Sequence, residues 1–248
     1  MKAIILAAGM GNRLKPFTSN IPKGMVKLGG KSLLEIQIDI FKKLGITDIS
    51  IVRGYLPEKI TFPSINYFYN ENYSTTAGNV SLFCAKEKLQ DSVIITYSDI
   101  VFDESIIRQM INFSGDFGIA VDLDWEKNYV DRDQHPKNEA DNILFDKEGK
   151  IIAFQKNLQK PHSTIGEFLG IVKLSKKGSL IFSKKLSELY ISHKGKFHGS
   201  SSFAQSIMPD MLQELIDSGY DIEPLFFEGK WCEIDTPQDL ERAKKFFC

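Results

Sequence analysis

Residues 5-ILAAGMGNRLK-15 pass directly from a run of apolar residues into a glycine-rich turn that carries positive charge. Consecutive backbone N–H groups in such a turn form a nest that binds anions, and glycine lets a phosphate approach without a Cβ collision. Arg13 can grip phosphate oxygens with its rigid fork of donors, while Lys23 adds a mobile point charge. The pattern predicts a site for a phosphorylated ligand in which Arg13 and Lys23 are catalytic.

Two other phosphate-binding loops fit this sequence poorly. A dinucleotide-binding loop needs a third glycine, so that a helix can pack closely on the strand, and an acid about 20 residues further on. The third glycine position is Leu14 here, and the second predicted strand ends in 53-RGY-55, without an acid. The segment 29-GGKS-32 resembles the end of a Walker A loop, but the glycine required at its start is Met25. We interpret it as a turn before a helix.

Carboxylates stand at two places where a sheet would present them to a ligand. Asp99 ends the apolar run 92–99, and Glu233 and Asp235 lie two residues apart, so that an extended backbone points both to one side. Carboxylate oxygens are ligands that hard divalent cations prefer. Asp235 also directly precedes a predicted helix, where an acid stabilises the N-terminus, and this role is compatible with metal binding.

A competing carboxylate pair follows another predicted strand. Asp122-Leu123-Asp124 has the D-x-D form typical of metal-dependent glycosyltransferases, and strand alternation would place both carboxylates on one side. The sequence therefore leaves a glycosyltransferase open as a second interpretation.

The elements that position these residues alternate between strand and helix. Short runs rich in β-branched residues predict strands, and apolar residues at helical spacing predict helices. The first helix should begin after Ser32, with Glu35 in the capping-box position, and should stop at Gly45. The predicted strands are 2–8, 48–55, 65–70, 92–99, 117–125, 150–156, 167–175 and 221–229, and the predicted helices are 32–45, 78–89, 176–193, 202–219 and 236–247.

This order of elements favours right-handed crossovers and a parallel sheet, whose ligands lie at the carboxyl ends of the strands. The second half adds strands to the same sheet, including a hairpin over 143–154. We predict an α/β fold: a single domain over 1–248 with a Rossmann-like, mostly parallel mixed sheet and helices on both faces. Within it, 1–115 forms a nucleotide-binding half, and 116–248 forms an acceptor-binding half with a closing helix.

Composition argues against several classes of partner. Thirty-one Lys and Arg balance 32 Asp and Glu, for a net charge of -1, which gives no electrostatic reason to expect nucleic acid or a membrane surface. The apolar N-terminal run is too short to span a membrane. We predict a cytoplasmic protein. No metal-binding or disulfide spacing is found for the cysteines, and the scattered histidines suggest only loop or surface roles; these residues are Cys84, Cys232, Cys248, His135, His162, His193 and His198.

The glycine loop and its surroundings resemble a known family. Residues 6-LAAGMGNRLKPFT-18 and 22-PK-23 are similar to the signature L-A-A-G-x-G-[ST]-R-L-x-P-x-T followed by P-K. That signature is typical of nucleoside-triphosphate transferases that activate phosphorylated small molecules. Asn12 departs from it, because threonine or serine is usual there. The resemblance extends to the C-terminal segment 231-WCEIDTPQDLERA-243.

Within that superfamily the chain resembles the short enzymes that use CTP, such as phosphocholine, phosphonoalkylate and phosphoglutamine cytidylyltransferases. Four segments carry this likeness: 70–89, 97–100, 166–175 and 233–235. The resemblance implies Mg²⁺ as cofactor, held by Asp99 and Asp235 with help from Glu233. It implies that the nucleotide is bound by Leu6, Ala7, Ala8, Gly9, Met10, Gly11, Asn12, Asn79 and Ser98.

In this reading, an oxygen of the acceptor's phosphate or phosphonate attacks the α-phosphorus of CTP and expels pyrophosphate, which activates a head group for cell-surface polysaccharide or lipid. Lys156 is the predicted third catalytic cation. Phosphocholine, an aminoalkylphosphonate and phosphoglutamine all remain open as acceptors, and a sugar-1-phosphate nucleotidylyltransferase is the alternative activity. We expect a monomer or a homodimer. The predicted acceptor-binding residues are Asp122, Asp124, Trp125, Arg132 and Glu167.

Overall fold

The computed structural model describes residues 1–158 and 163–247, so that His162 and Cys248 lie outside the described residues. The strands are β1 (Lys2–Ala7), β2 (Lys27–Leu28), β3 (Lys31–Ser32), β4 (Asp48–Arg53), β5 (Asn66–Tyr69), β6 (Val93–Tyr97), β7 (Ile100–Phe102), β8 (Phe117–Asp122), β9 (Asp141–Phe145), β10 (Ile151–Lys156), β11 (Ile165–Leu174), β12 (Glu223–Phe226) and β13 (Trp231–Glu233). The helices are α1 (Leu33–Lys43), α2 (Gly78–Cys84), α3 (Glu104–Asn112), α4 (Lys176–Ser192), α5 (Met208–Asp217) and α6 (Pro237–Phe247).

Four parallel strands form one half of the central sheet, in the order β5, β4, β1, β6. Leu6 in β1 pairs with Val52 in β4 and with Tyr97 in β6, so these three strands end at the same edge. The glycine loop after β1 and the acid after β6 therefore emerge side by side. This arrangement is the physical basis of the predicted ligand edge.

The other half of the sheet is built around β11, which runs antiparallel to β6, β8 and β9. Its register against β8 shifts between Phe168 and Val172. Gly170 lies at this irregularity with φ 76°, a backbone conformation that favours glycine. β10 extends the sheet beyond β9, and β12 pairs in parallel with β8. The predicted α/β fold with a mixed sheet is confirmed.

Helices cover both faces of the sheet, and β1 shows how the sequence provides for this. Ile4 and Leu6 point into the core beneath α2, α4 and α5, whereas Ala3, Ile5 and Ala7 point into the core beneath α1 and α3. Alternate residues of a strand face opposite sides, so a strand buried on both sides must be apolar throughout. Each fully buried isoleucine or leucine stabilises the fold by about 1.5 to 3 kcal/mol.

Two predicted helix starts are confirmed by their side-chain caps. The Ser32 hydroxyl accepts a hydrogen bond from the Glu35 amide at 3.2 Å, while the Glu35 carboxylate accepts from the Ser32 amide at 2.7 Å. At the start of α6, the Thr236 hydroxyl accepts from the Asp239 amide at 3.2 Å. The predicted hairpin over 143–154 is confirmed as β9 and β10.

Three helices differ from the prediction. The helix predicted over 78–89 is shorter, because α2 ends at Cys84 and residues 86–88 form a separate turn. No helix was predicted over 104–112, where the structure has α3; its cap is the Asp103 carboxylate, which accepts from the Ser105 amide at 2.9 Å. The helix predicted over 202–219 begins only at Met208, because residues 203–205 form a separate turn. None of the helices within 1–158 and 163–247 is both long and apolar enough to cross a membrane.

Candidate active site

The glycine loop lies directly against the segment that carries Lys23. Gly11 has φ 63°, and a Cβ atom added there would come within 2.9 Å of the Lys23 Cβ. The Thr18 hydroxyl donates to the Gly11 carbonyl at 2.7 Å and closes the loop. At Gly9 a Cβ would meet nothing within 4 Å, so this part of the loop faces open space. The loop is therefore closely packed at Gly11 and accessible at Gly9.

A cavity of about 220 Å³ opens at the carboxyl ends of β1 and β6. Gly54 allows the close approach of two chain segments beside it, because a Cβ there would lie 2.6 Å from the Ala8 carbonyl oxygen and 2.6 Å from the Tyr73 Cβ. The cavity is lined by Leu6, Ala8, Gly9, Lys23, Tyr73, Thr76, Ala77, Gly78, Ser81, Tyr97, Ser98, Asp99 and Ile207.

The predicted nucleotide-binding residues divide into two groups. Leu6, Ala8, Gly9 and Ser98 line the cavity, whereas Ala7, Met10, Gly11, Asn12 and Asn79 do not. Asn79 is fully buried behind the wall, where its amide donates to the Ser206 hydroxyl at 2.8 Å and to the Ile207 carbonyl at 2.7 Å. Its contacts in this structure thus hold together the chain segments that form the cavity.

Lys23 joins two of the three carboxylates that the family resemblance assigns to metal binding. Its ammonium lies 2.6 Å from the Asp99 carboxylate and also donates to the Asp235 carboxylate. Arg13, which is half exposed, donates to the other oxygen of Asp235 at 2.5 Å. The glycine loop, the end of β6 and the segment before α6 therefore meet at one cluster of opposite charges.

A second set of side chains surrounds Glu233 beside this cluster. Arg132 donates to Asp239 at 2.6 Å and lies 3.5 Å from the Glu233 carboxylate. Its guanidinium also lies 3.0 Å from the His135 Nδ1, which in turn lies 3.2 Å from Asp235. The expectation of a loop or surface role for His135 is wrong, because the residue is only 2% exposed. A histidine one hundred residues from its partner leaves no signal in the sequence.

Burial and charge set the protonation of this cluster. Burial opposes the ionisation of Asp235, but Lys23 and Arg13 outweigh it and lower its pKa to about 2. Burial, followed by repulsion from Asp235 and Asp99, raises the pKa of Glu233 well above its usual range. Burial and the neighbouring Arg132 lower the pKa of His135 to about 4, so that the imidazole is neutral near pH 7.

These residues offer a donor set that suits a divalent cation. Ligand atoms of His135, Glu233 and Asp235 lie within 4.8 Å of one another. The Asp99 Oδ1 is buried and has no hydrogen-bond partner among the described residues. Hard cations such as Mg²⁺ bind carboxylate oxygens, and an orphaned buried oxygen is stabilised by such a ligand.

The comparison with protein families decides which class of protein carries this geometry. Residues 3–157, well over half of the chain, match the family model of the MobA-like NTP transferase domain. The chain belongs to the MobA-like NTP transferase family. Its resemblance to nucleoside-triphosphate transferases, first seen in the glycine loop, is therefore confirmed, and the chain is a nucleotidyltransferase.

Individual relatives of this transferase domain agree with the family match. CTP:phosphoglutamine cytidylyltransferase from Campylobacter jejuni is 30% identical over 253 residues, covering 97% of this chain and 98% of that protein. Choline-phosphate cytidylyltransferase from Streptococcus pneumoniae is 42% identical over 106 residues, which cover 41% of this chain and 46% of that protein. The solved structure of CTP:phosphocholine cytidylyltransferase from Streptococcus pneumoniae has a TM-score of 0.77 at 24% identity, covering 100% and 99% of the two chains, and it shows a shared fold.

The predicted acceptor residues of this MobA-like transferase lie in different surroundings. Asp122 is buried and accepts hydrogen bonds from the Trp231 indole at 2.8 Å and from the Asp124 amide at 2.8 Å. Asp124 itself is exposed and pairs with Lys127. The expectation that both carboxylates face one side is wrong, because β8 ends at Asp122 and strand alternation stops there.

The other predicted acceptor residues are mostly buried. Trp125 donates from its indole to the Ile165 carbonyl at 3.1 Å, and Glu167 accepts from the Tyr129 hydroxyl at 2.5 Å. Lys156, at the end of β10, is half exposed and lies 3.1 Å from Glu139. It lines a separate cavity of about 830 Å³ that also reaches Asp141 and Ile207.

A buried glutamine that the sequence did not single out positions the transferase carboxylate at the end of β6. Gln37 on α1 donates from its amide to the carbonyls of Tyr97 and Ile100, each at 2.8 Å. It also accepts a hydrogen bond from the Thr96 hydroxyl at 2.8 Å. These contacts fix the turn that carries Asp99. The sequence could have indicated this role, because Gln37 is a polar residue on the otherwise apolar face of the predicted helix 32–45.

Proposed function

We propose that the protein transfers CMP from CTP to a phosphate or phosphonate oxygen of a small molecule and releases pyrophosphate. The observation that carries the proposal is the meeting of Arg13, Lys23, Asp99 and Asp235 beside a cavity at the carboxyl ends of β1 and β6. Two relatives named as cytidylyltransferases support CTP as the donor.

The nucleoside would occupy the cavity of about 220 Å³, whose wall includes the accessible Gly9. The triphosphate would then extend toward Lys23 and Arg13. Both cations neutralise carboxylates in this structure. They would be available to contact phosphate oxygens if a divalent cation were bound by those carboxylates. Loss of one such preorganised charge lowers the rate by about 10²-fold or more.

We propose that Asp99, Asp235 and Glu233 hold Mg²⁺, which would neutralise charge on the phosphates when bound. The chain's own residues orient these ligands: Gln37 fixes the Asp99 turn, and Arg132 lies against Glu233. The neutral His135 lies beside Asp235 without adding a charge that would repel the cation.

The transfer step needs little acid–base chemistry from the protein. An oxygen of the acceptor attacks the α-phosphorus, a new P–O bond forms, and the bond to the β-phosphate oxygen breaks. The attacking oxygen already carries negative charge near neutral pH, so no side chain must remove a proton from it. Positioning and neutralisation of charge therefore account for the catalysis.

The acceptor would enter from the side of Glu167, Trp231 and Glu233, opposite the nucleoside, with Lys156 at the mouth of the adjoining cavity. Products of this type activate a head group for attachment to polysaccharide or lipid. CTP as donor fits the cytoplasmic location that the sequence predicts. A glycosyltransferase centred on Asp122 is not favoured, because hydrogen bonds from protein groups already occupy that carboxylate.

Pyrophosphate release tests the proposal directly. The protein is incubated with Mg²⁺ and each of the four nucleoside triphosphates, together with a panel of phosphorylated amines and amino acids. We expect turnover with CTP, and a loss of about 100-fold or more on Asp235→Asn. The matched control Asp39→Asn changes an exposed aspartate on α1 and should leave turnover unchanged. Turnover of UTP with glucose 1-phosphate, and none with CTP and any acceptor, would refute the proposal.

A further inference from the structure

A small cavity lies between the carboxylate cluster and the larger cavity that holds Lys156. Its volume is about 30 Å³, and Tyr97 and Trp231 contribute aromatic walls. Tyr97 also lines the nucleotide cavity, and Asp141 also lines the cavity of Lys156. The small cavity is therefore where the head group of an acceptor would lie if its phosphate reached the nucleotide.

No cationic side chain among the described residues lines this cavity. Four carboxylates do: Glu139, Asp141, Glu167 and Glu233. Two of them have ion-pair partners outside it, because Glu139 lies 3.1 Å from Lys156 and Glu233 lies 3.5 Å from Arg132. Asp141 and Glu167 have no such partner within the described part of the chain. The cavity thus holds two carboxyl groups that no cationic side chain of the described residues contacts.

Glu167 supplies an independent sign of a missing ligand. The residue is only 4% exposed, and one of its carboxylate oxygens accepts from the Tyr129 hydroxyl at 2.5 Å. The other oxygen, Oε2, is buried and has no hydrogen-bond partner among the described residues. A buried carboxylate oxygen without a donor is costly, so a site that retains one is arranged for a ligand that donates.

The raised pKa values of Glu167 and Asp141 are those expected of carboxyl groups that lack a contacting cation. Burial raises the pKa of Glu167 to about 8 and the pKa of Asp141 to about 6. Each carboxylate would ionise fully if a cation entered the cavity.

We infer that this cavity binds a primary ammonium group of the acceptor, through Glu167 Oε2 and Asp141. The inference rests on the proposed transfer of CMP and narrows its acceptor to a phosphate or phosphonate that carries a primary amine on a short chain.

Size and hydrogen bonding both separate a primary from a quaternary ammonium. A water molecule needs about 10 to 15 Å³ of cavity volume. The cavity of about 30 Å³ therefore has room for about two water-sized groups. An –NH₃⁺ group is of that size and has three N–H donors, one of which can satisfy Glu167 Oε2. A trimethylammonium group is larger and has no N–H, so it would leave that oxygen unpaired.

Three acceptors that differ only at the nitrogen test the inference: 2-aminoethyl phosphate, its N-trimethyl analogue and propyl phosphate. With CTP and Mg²⁺, we expect kcat/KM for 2-aminoethyl phosphate to exceed the other two by about 100-fold or more. Glu167→Gln should lower kcat/KM for 2-aminoethyl phosphate about 10- to 100-fold, because a charge-assisted hydrogen bond is lost. It should leave propyl phosphate nearly unchanged. Asp141→Asn should act in the same direction.

Glu188→Gln is the matched control, because Glu188 is an exposed glutamate on α4 whose nearest cation, Lys184, lies 3.9 Å away. Equal losses with all three acceptors on Glu167→Gln, or a preference for the trimethyl compound, would overturn the inference. Failure of CTP turnover with every acceptor would instead contradict the proposed function. Calorimetric binding of the same three compounds then still decides whether the cavity prefers a primary ammonium.

Discussion

Lys23→Met tests the central contact of the candidate site, because it removes the charge between Asp99 and Asp235 and keeps an unbranched side chain of similar length. In the wild-type protein the ammonium contacts both carboxylates. In the variant Asp235 should keep its contact with Arg13, which is 2.5 Å in the wild type, whereas Asp99 would be left beside the like charge of Asp235. We therefore expect both lower stability and a new preference for metal.

The magnitude follows from the burial of the pair. Loss of one partner of a buried ion pair costs about 3 to 5 kcal/mol, and the remaining Arg13 contact brings this to about 2 to 3 kcal/mol. For a chain of this length each kcal/mol shifts Tm by about 2 to 4 °C, so Tm should fall by about 4 to 12 °C. Mg²⁺ at about 100 times its Kd would restore about 2.7 kcal/mol.

Thermal unfolding with and without Mg²⁺, in the absence of nucleotide, measures both effects. The wild-type Tm should respond weakly to Mg²⁺, because Lys23 competes for the same oxygens, whereas the variant should recover most of its loss. Lys27→Met is the control, since Lys27 is an exposed lysine nearby in the chain. An equal response to Mg²⁺ in both proteins, or an unchanged Tm in the variant, would refute the assigned role of Lys23.

Three further substitutions and one binding measurement probe other contacts. Arg13→Ala should lower kcat/KM for CTP about 100-fold. It should lower the free energy of unfolding by less than about 1 kcal/mol, because the guanidinium is half exposed. Unchanged turnover of CTP would contradict this prediction. Gln37→Leu should lower the unfolding free energy by about 2 to 4 kcal/mol in denaturant titrations, since the carbonyls flanking Asp99 lose their donors; an unchanged midpoint would mean that they find others. Gly54→Ala should raise KM for CTP about tenfold or more, because its Cβ would press on the glycine loop; an unaltered KM would place the nucleotide elsewhere. At pH 7, binding of 2-aminoethyl phosphate should release a proton from Glu167, whose pKa of about 8 an ammonium would lower; calorimetric heats independent of buffer would argue against it.

The glycine loop shows how far local sequence can lead. Residues 6–18 predict a phosphate-binding turn because backbone nests and glycine conformations are properties of a few consecutive residues. The apolar strands and the Ser32 cap were equally accessible, since strand alternation and helix capping act over two to four positions. The α3 helix was missed, although Asp103 and the apolar residues after it formed a usable pattern.

The acceptor side shows where sequence patterns fail. Asp122 and Asp124 look equivalent in the sequence, but the end of β8 buries one and exposes the other. The contact between His135 and Asp235 joins positions one hundred residues apart. Local rules carry no information on such pairs, because long-range packing alone brings them together.

The sequence by itself determined the family, the α/β class, and Arg13 and Lys23 as the cations in and after the glycine loop, since each depends on short-range patterns in the chain. Only the tertiary structure decided that Lys23 lies between Asp99 and Asp235, and that Glu167 retains a buried oxygen without a donor. Charge pairing and burial depend on distances between segments far apart in the chain, and these distances are fixed only when the sheet and its helices pack.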